Sequence, residues 1–351
     1  MEVAPLPRQG PVWVHRWLLI AAMLWGIMGC HAEGAFRPSL DVRTANSPRR
    51  AQVPMVVVLS QNQRAVLPFQ SALRAELAED FDVWSCPIES AVDWPEAQRL
   101  IEEWRPVVVV LVDNPTAVLY RNWAANRKAP PAAILVMSAF VEELQPTIPN
   151  SVAVAFESPA VTSLVAVRSL LERRINRVGV LYREHFGNFI ERQRRQLAEE
   201  RITLVSESLT MRPSPAELRR GLRRLRREGV DALWVTNDNV LLSKGMLASV
   251  WLPFAERYPM PIVVGVPTLV GHQVHFGLYA AAPDIEALGV QTADLVIALS
   301  SRGYHADARQ VLPPLAARTY VDWELARNLG AKPALKTNFD IVIGGDQGRK
   351  P

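Results

Sequence analysis

The residues with the clearest potential for chemistry are polar side chains that directly follow short apolar runs. Asp238 and Asn239 close the stretch WVTNDN, and Tyr182 and Asn188 lie in VLYREHFGN. A carboxylate accepts hydrogen bonds from an ammonium or hydroxyl group, and an asparagine amide pairs with amide or carboxylate groups. A tyrosine ring stacks on a planar ligand while its hydroxyl donates a hydrogen bond. These side chains therefore predict recognition of a small polar or aromatic molecule.

A second set of polar residues follows apolar runs earlier in the chain. Its members are Ser60 and Asn62 in SQNQRAV, Asn114 and Thr116 in DNPTAV, and Ser138 in MSAFVEE. Hydroxyl and amide groups at such positions fix the orientation of a bound molecule. We include all five among the candidate ligand-binding residues.

Several of these hypotheses have a structural alternative. Asp238 or Asn239 is placed to cap a helix starting at Val240, and Ser60 and Asn62 are placed to cap the first helix. For Tyr182, the alternative is that its side chain faces the hydrophobic core. If Asp238 binds ligand, an Asp238→Ala change is expected to weaken binding far more than fold stability.

These residues must be positioned by an alternation of buried strands and helices. From Val53 onward, valine-rich runs such as VPMVVVLS and PVVVVLVDN alternate with segments whose apolar residues recur at helical spacing. The series restarts after Asn150. The pattern predicts an α/β fold of two doubly wound, parallel-sheet lobes with a ligand cleft between them, because such sheets bind ligands beyond the carboxyl ends of their strands.

Catalytic and metal-binding signatures are absent from the sequence. It contains no GxSxG, HExxH or GxxxxGK[ST] motif, and no GxGxxG follows a strand. The histidines of GHQVH lie three residues apart in a strand-like stretch, so they would point to opposite faces. The two cysteines, Cys30 and Cys86, have no zinc-site spacing. We predict no enzymatic activity, no metal and no cofactor.

The cationic residues point to a solvated surface. The stretch ELRRGLRRLRREG places Leu218, Leu222 and Leu225 on one stripe and arginines on the other faces. This pattern is typical of an amphipathic surface helix, with contact to anionic lipid as the alternative. The formal net charge of +4 over 351 residues is weak evidence for nucleic-acid binding, and no nucleic-acid partner is predicted.

The N-terminal residues have the features of an export signal. Basic residues precede an apolar segment, Trp17 to Met28, that is shorter than the ~20 residues of a membrane span. Its ending, IMGC, resembles a bacterial lipobox, which implies lipid attachment at Cys30. We assign residues 1–30 to a signal peptide and the polar residues 31–52 to a tether. An uncleaved anchor or a different start site is the alternative.

The second half carries an ordered series of segments. They are INRVGVLYREHFGN, GVDALWVTNDNVLLS, MPIVVGVPTLVGHQVHFGLYAAAPDIEALGVQTADLVIALSSRG and ARTYVDWELARNLGAK. The series resembles the ABC-transporter substrate-binding protein family that includes tryptophan- and tyrosine-binding lipoproteins. Asp238 and Asn239 match its aspartate–asparagine pair, Tyr182 its leucine–tyrosine strand end, and Asn188 its loop asparagine. Tyr279 is a further candidate ligand-binding residue and stands in FGLYAAAP, where alanines replace the family's hinge aspartate.

The resemblance implies the type I periplasmic binding fold. Its lobes would comprise residues 53–150 plus 281–311 and residues 151–280 plus 312–335, with residues 336–351 as a tail that is either an added strand or loose. It also implies a monomeric lipoprotein, exported to the cell envelope and anchored to a membrane through Cys30. That lipoprotein would face the periplasm and deliver a small amino-acid-like solute to an ABC permease. An envelope lipoprotein of the same fold with a sensory or partner-binding role is the main alternative, and an enzyme the weaker one.

Overall fold

Valine-rich runs form strands because β-branched side chains pack well on a buried pleated surface. The computed structural model describes residues 53–61, 63–171, 173–271, 274, 276–306 and 310–344. The strands are β1 (Met55–Ser60), β2 (Asp82–Pro87), β3 (Val108–Leu111), β4 (Ala132–Leu135), β5 (Ser151–Val154), β6 (Arg177–Arg183), β7 (Thr203–Leu209), β8 (Ala232–Val235), β9 (Ile262–Val264), β10 (Tyr279–Pro283), β11 (Gln310–Leu312), β12 (Ala317–Asp322) and β13 (Ile341–Ile343).

Helices connect most consecutive strands, as parallel pairing requires. They are α1 (Gln63–Leu77), α2 (Trp94–Trp104), α3 (Asn114–Ala124), α4 (Val141–Leu144), α5 (Ala160–Leu171), α6 (Gly187–Glu199), α7 (Pro215–Arg227), α8 (Lys244–Met246), α9 (Leu252–Arg257), α10 (Ile285–Ser300) and α11 (Trp323–Asn328). A π-helical segment, Leu247–Trp251, joins α8 to α9. In α7, the leucine stripe is buried and the arginines surround it, as predicted for an amphipathic surface helix.

The first lobe is built on a six-stranded parallel sheet. Its strand order is β11-β5-β4-β3-β1-β2. Alternate residues of β1 face opposite sides: Val56 and Val58 pack toward α1 and α10, and Val57 and Leu59 pack toward α2 and α3. Burial of both faces explains why the strands read as continuous apolar runs.

The second lobe is built on a seven-stranded sheet with the order β13-β12-β10-β9-β8-β6-β7. All its pairs are parallel except β10 with β12. Helices α5 and α6 cover one face, and α7 with the α8–α9 region covers the other. The predicted fold class of two doubly wound α/β lobes is therefore confirmed. Ile341–Ile343 pairs with β12, so this part of the tail is an added strand.

The chain crosses between the sheets three times, at residues 155–159, at Asp284 and at residues 313–316. The predicted boundary after residue 150 was wrong, because β5 pairs with β4 and belongs to the first sheet. Asn150 instead forms a turn inside the first lobe, in the left-handed region with φ 51°. The boundary at residue 281 was also wrong, since β10 stays in the second sheet through Pro283.

Some of the predictions concern residues that the structure does not describe. The export signal (1–30), the lipid attachment at Cys30, the tether (31–52) and Asn62 all lie outside the described residues. Among the helices that are described, none is long and apolar enough to span a membrane.

Candidate ligand-binding cleft

We place the candidate cleft between the loops that follow the carboxyl ends of strands in the two sheets. On the first-lobe side are the loop after β4 and helix α4. On the second-lobe side is the segment after β6. The two sides touch: Phe140 stacks on Phe186 with a centroid separation of 3.6 Å, and Arg192 pairs with Glu143 at 3.1 Å. Carboxyl ends of parallel strands are the usual place for a ligand in such folds.

Two predicted first-lobe residues hold loops together. The Asn114 amide donates to the carbonyl oxygen of Ala139 at 2.7 Å and accepts from its N–H at 2.8 Å. Thr116 is fully buried, and its hydroxyl donates to the carbonyl oxygen of Asp113 at 3.0 Å. In the structure Asn114 fixes the loop after β4, and Thr116 fixes the start of α3. Their assignment to a ligand stays a prediction.

The two predicted serines of this lobe are buried. The Ser138 hydroxyl lies 3.4 Å from the carbonyl oxygen of Val136. The Ser60 hydroxyl has no hydrogen-bond partner among the described residues, so it caps no described helix. Buried polar atoms without partners are uncommon, which makes Ser60 a remaining candidate for a polar contact.

The predicted second-lobe residues separate into exposed and core positions. Asn188, in the first turn of α6, and Asn239 are exposed. Tyr182 is half-buried and packs against the core of this lobe, which is the alternative that the sequence left open. Tyr279 is a core residue, and its assignment to the cleft is corrected: it is 2% exposed, and its ring meets Phe339 edge-on at 6.0 Å. Burial raises the pKa of Tyr279 to about 12.

Asp238 is fully engaged by the protein. One carboxylate oxygen accepts from Arg183 Nε at 2.6 Å, and the other accepts from the N–H groups of Val240 at 2.9 Å and Leu241 at 3.4 Å. Its side chain is 0% exposed and that of Arg183 is 16% exposed. The capping alternative therefore holds in a modified form, because Asp238 caps a turn and also neutralises a mostly buried arginine.

Glu157 is a candidate site residue beside the loop after β4 that the sequence analysis missed. It lies on the first crossing, is half-buried, and accepts a hydrogen bond from the Phe140 N–H at 2.6 Å. Burial raises the pKa of Glu157 to about 7, and the negative charge of Glu142 adds to the rise. A nearby cation would stabilise the ionised form of a carboxyl group in this environment. The signal was present in the run NSVAVAFES, where one acidic residue follows a buried strand.

Asn237 was also missed, although it adjoins the predicted Asp238. It is 8% exposed, and its side-chain carbonyl oxygen has no hydrogen-bond partner among the described residues. This acceptor lies at the end of β8, directly against Gly265 at the end of β9. A buried acceptor without a partner is uncommon, which makes Asn237 a candidate for a polar contact.

A methyl group at Gly265 should push Asn237 out of position. A Cβ there would lie 1.8 Å from Asn237 Oδ1, so the Gly265→Ala variant must rotate this amide away. We expect a loss of about 1–3 kcal/mol of unfolding free energy, the usual range for overpacking, measured by urea denaturation. Gly245→Ala is the matched control, because nothing lies within 4 Å of a Cβ at Gly245. Equal stability of the two variants would contradict this packing.

The remaining titratable groups of the cleft do not form a metal site. Across the part of the chain that the structure describes, no group of three or more His, Cys, Asp or Glu side chains is arranged to hold a metal ion. His185 lies beside Phe186, and burial together with the charge of Arg183 lowers its pKa. Glu157, His185 and the stacked rings of Phe140 and Phe186 therefore lie around the contact between the two lobes.

Comparison with known proteins gives matches at the level of structure. No protein-family model and no curated protein matches the sequence. The ABC domain in complex with L-Trp from Streptococcus pneumonia is 17% identical, with a TM-score of 0.58 over 83% of this chain and 99% of that chain. A ligand-free, open substrate binding protein with adhesive properties from Clostridium difficile is 14% identical, with a TM-score of 0.58 and coverages of 83% and 99%.

A third match is a branched-chain amino acid transporter substrate binding protein from Streptococcus pneumoniae in complex with isoleucine. It is 11% identical, with a TM-score of 0.51 over 76% of this chain and 95% of that chain. At such identities the similarity establishes architecture rather than activity. The described residues adopt the type I periplasmic-binding-protein fold, as the sequence resemblance implied.

Proposed function

We propose that this protein is the lipid-anchored solute-binding component of an ABC transporter, which captures a small amino-acid-like solute in the interlobe cleft. The observation that carries the proposal is the arrangement of two largely parallel sheets in lobes that touch through their carboxyl-end loops and are joined by three crossings. Such an arrangement lets two rigid lobes close over a molecule by bending at the crossings. The role is binding and delivery rather than catalysis.

The chemistry of the cleft supports a solute that carries an ammonium group. Glu157 offers a carboxylate whose ionised form is disfavoured until a cation pairs with it. Asn237 carries a buried carbonyl oxygen without a partner among the described residues, which would accept an N–H group of the solute. Two of the structurally similar proteins are described as complexes with L-Trp and isoleucine, which fits this solute class.

The location and partners belong to the same proposal. Lipid attachment at Cys30 would hold a monomer at a membrane of the cell envelope, facing the periplasm, and residues 31–52 would tether the folded lobes there. The captured solute would then pass to an ABC permease. Mass spectrometry of the N-terminal peptide of the membrane-extracted protein tests the anchor directly.

A thermal-shift screen tests solute capture. Purified full-length protein in mild detergent is heated with each of the twenty amino acids, with nucleosides and with sugars. A binding solute stabilises the folded state by about 2.7 kcal/mol at a hundred times its dissociation constant, so the melting temperature rises. We expect a shift with an amino acid that is lost in Glu157→Gln and retained in Glu103→Gln, which alters an exposed carboxylate on α2. A shift that survives in Glu157→Gln would remove Glu157 from the site.

One observation favours the second candidate, an envelope lipoprotein of the same fold with a sensory or partner-binding role. The Phe140 side chain comes from the first lobe, is only 4% exposed and packs on Phe186 and Phe189 of the second lobe. A cleft permanently filled in this way would bind no solute. The absence of any thermal shift across the panel, including with a Phe140→Ala variant, would favour this candidate.

A further inference from the structure

The loop after β4 reaches out of its own lobe. Phe140 follows a first-lobe strand, but its ring is buried in the hydrophobic cluster of the second lobe. It stacks on Phe186 at 3.6 Å with an interplanar angle of 20°, and meets Phe189 edge-on at 5.1 Å. A buried aromatic ring with one stacked and one edge-on ring contact is a non-covalent anchor. The two lobes are therefore joined across the cleft by the protein's own side chains.

A set of ion pairs lies beside this anchor. Arg192 of α6 in the second lobe bonds to Glu142 and, at 3.1 Å, to Glu143, both on α4 of the first lobe. Helix α4 begins immediately after Phe140. Because these charges are partly exposed, they contribute modest energy but fix the register in which the two lobes meet.

The anchoring loop is held in a costly backbone conformation. Met137 has φ 52° and Phe140 has φ 54°, in the left-handed region that L-residues other than glycine seldom adopt. The Asn114 amide clamps the backbone of Ala139, and Glu157 accepts the Phe140 N–H. A strained backbone of this kind persists only where neighbouring contacts hold it in place. Such strain is concentrated at switch and ligand-clamp segments.

We propose that Phe140, with the charges of α4, is an internal latch that closes the cleft in the absence of solute, so that an incoming solute has to displace it. The latch acts on the cleft that we propose for solute capture. Its biological role rests on that proposed function, but the existence of the latch does not. Its energetic consequence follows from population arithmetic: the apparent dissociation constant equals the intrinsic one divided by the fraction of unlatched molecules. Loss of the latch therefore tightens solute binding.

The latch is tested without solute by the distance between the lobes. Spin labels are placed on Val92→Cys and Met211→Cys, which are 84% and 45% exposed and follow the edge strands β2 and β7. The full chain carries Cys30→Ser, and Cys86 stays unlabelled because it is buried. Double electron–electron resonance then measures the spread of distances in detergent.

We expect one short distance in the otherwise unaltered chain and a shift to a longer one in Phe140→Ala. Phe81→Ala removes a buried ring of the first-lobe core far from the latch and should keep the short distance. If Phe140→Ala fails to fold, Arg192→Glu gives the same test from a partly exposed residue. Its control is Arg194→Glu, since Arg194 pairs within the second lobe with Glu191.

Two results would overturn the latch. One is a long or broad distance distribution in the solute-free chain before any latch residue is changed. The other is an unchanged short distance in both Phe140→Ala and Arg192→Glu. Neither result depends on solute binding, so a failed latch and a failed solute-capture proposal remain distinguishable.

Discussion

Asp238→Ala should cost about 3–5 kcal/mol of unfolding free energy, because it leaves a mostly buried arginine without its counter-ion. Arg183 donates to Asp238 at 2.6 Å, and the second Asp238 oxygen accepts two backbone N–H groups. Urea denaturation at pH 7 measures the loss. The Asp238→Asn variant keeps an oxygen for the backbone donors and should lose less, so the two variants separate the ion pair from the cap.

An exposed ion pair of the same lobe provides the control. Arg168 and Glu200 lie 2.9 Å apart with side chains 31% and 46% exposed, and Glu200→Ala should cost less than about 1 kcal/mol. The sequence favoured a larger effect of Asp238→Ala on ligand binding than on stability. The structure adds a large expected loss of stability to that prediction. A loss at Asp238 no greater than at Glu200 would contradict this structural role.

The second large effect is a pH-dependent stability that originates at Glu157. Burial raises its pKa from 4.5 to about 7 in the folded protein, so the folded state holds the proton more tightly than the unfolded state does. The stabilisation is complete below the unfolded pKa of 4.5 and is lost as the pH rises through about 7. The difference amounts to at most about 3 kcal/mol.

Glu157→Gln removes this titration while leaving a carbonyl oxygen to accept the Phe140 N–H. We expect the variant and the unaltered chain to unfold with similar free energies near pH 4.5 and the variant to become relatively more stable by pH 8.5. Denaturation curves across this range measure the divergence. Parallel pH profiles would show that Glu157 ionises freely and that its environment is more polar than the structure indicates.

Much of the fold was predictable because it depends on patterns of burial. Continuous apolar runs such as Val108–Leu111 are buried on both faces of a parallel sheet, and the leucine stripe of α7 has helical periodicity. The boundary after Asn150 was not predictable in this way. The run SVAV reads as a buried strand in either lobe, and only its pairing with β4 assigns it to the first.

The site was less predictable, since side-chain direction and partners are tertiary properties. Along β6, successive residues alternate between faces, so Tyr182 packs on the core while Arg183 reaches Asp238. Asp238 looked like a ligand group because nothing in the sequence identified Arg183, 55 positions away, as its partner. Phe140 carried no polar signal at all, and its role depends on a contact between the lobes.

The most direct test of the central claim is isothermal titration calorimetry of the full chain with amino acids, repeated on Phe140→Ala. We expect saturable binding of one amino acid per chain, weakened in Glu157→Gln and tightened when the Phe140 ring is removed. The absence of saturable heat for every amino acid, in both the unaltered chain and Phe140→Ala, would contradict solute capture by the interlobe cleft.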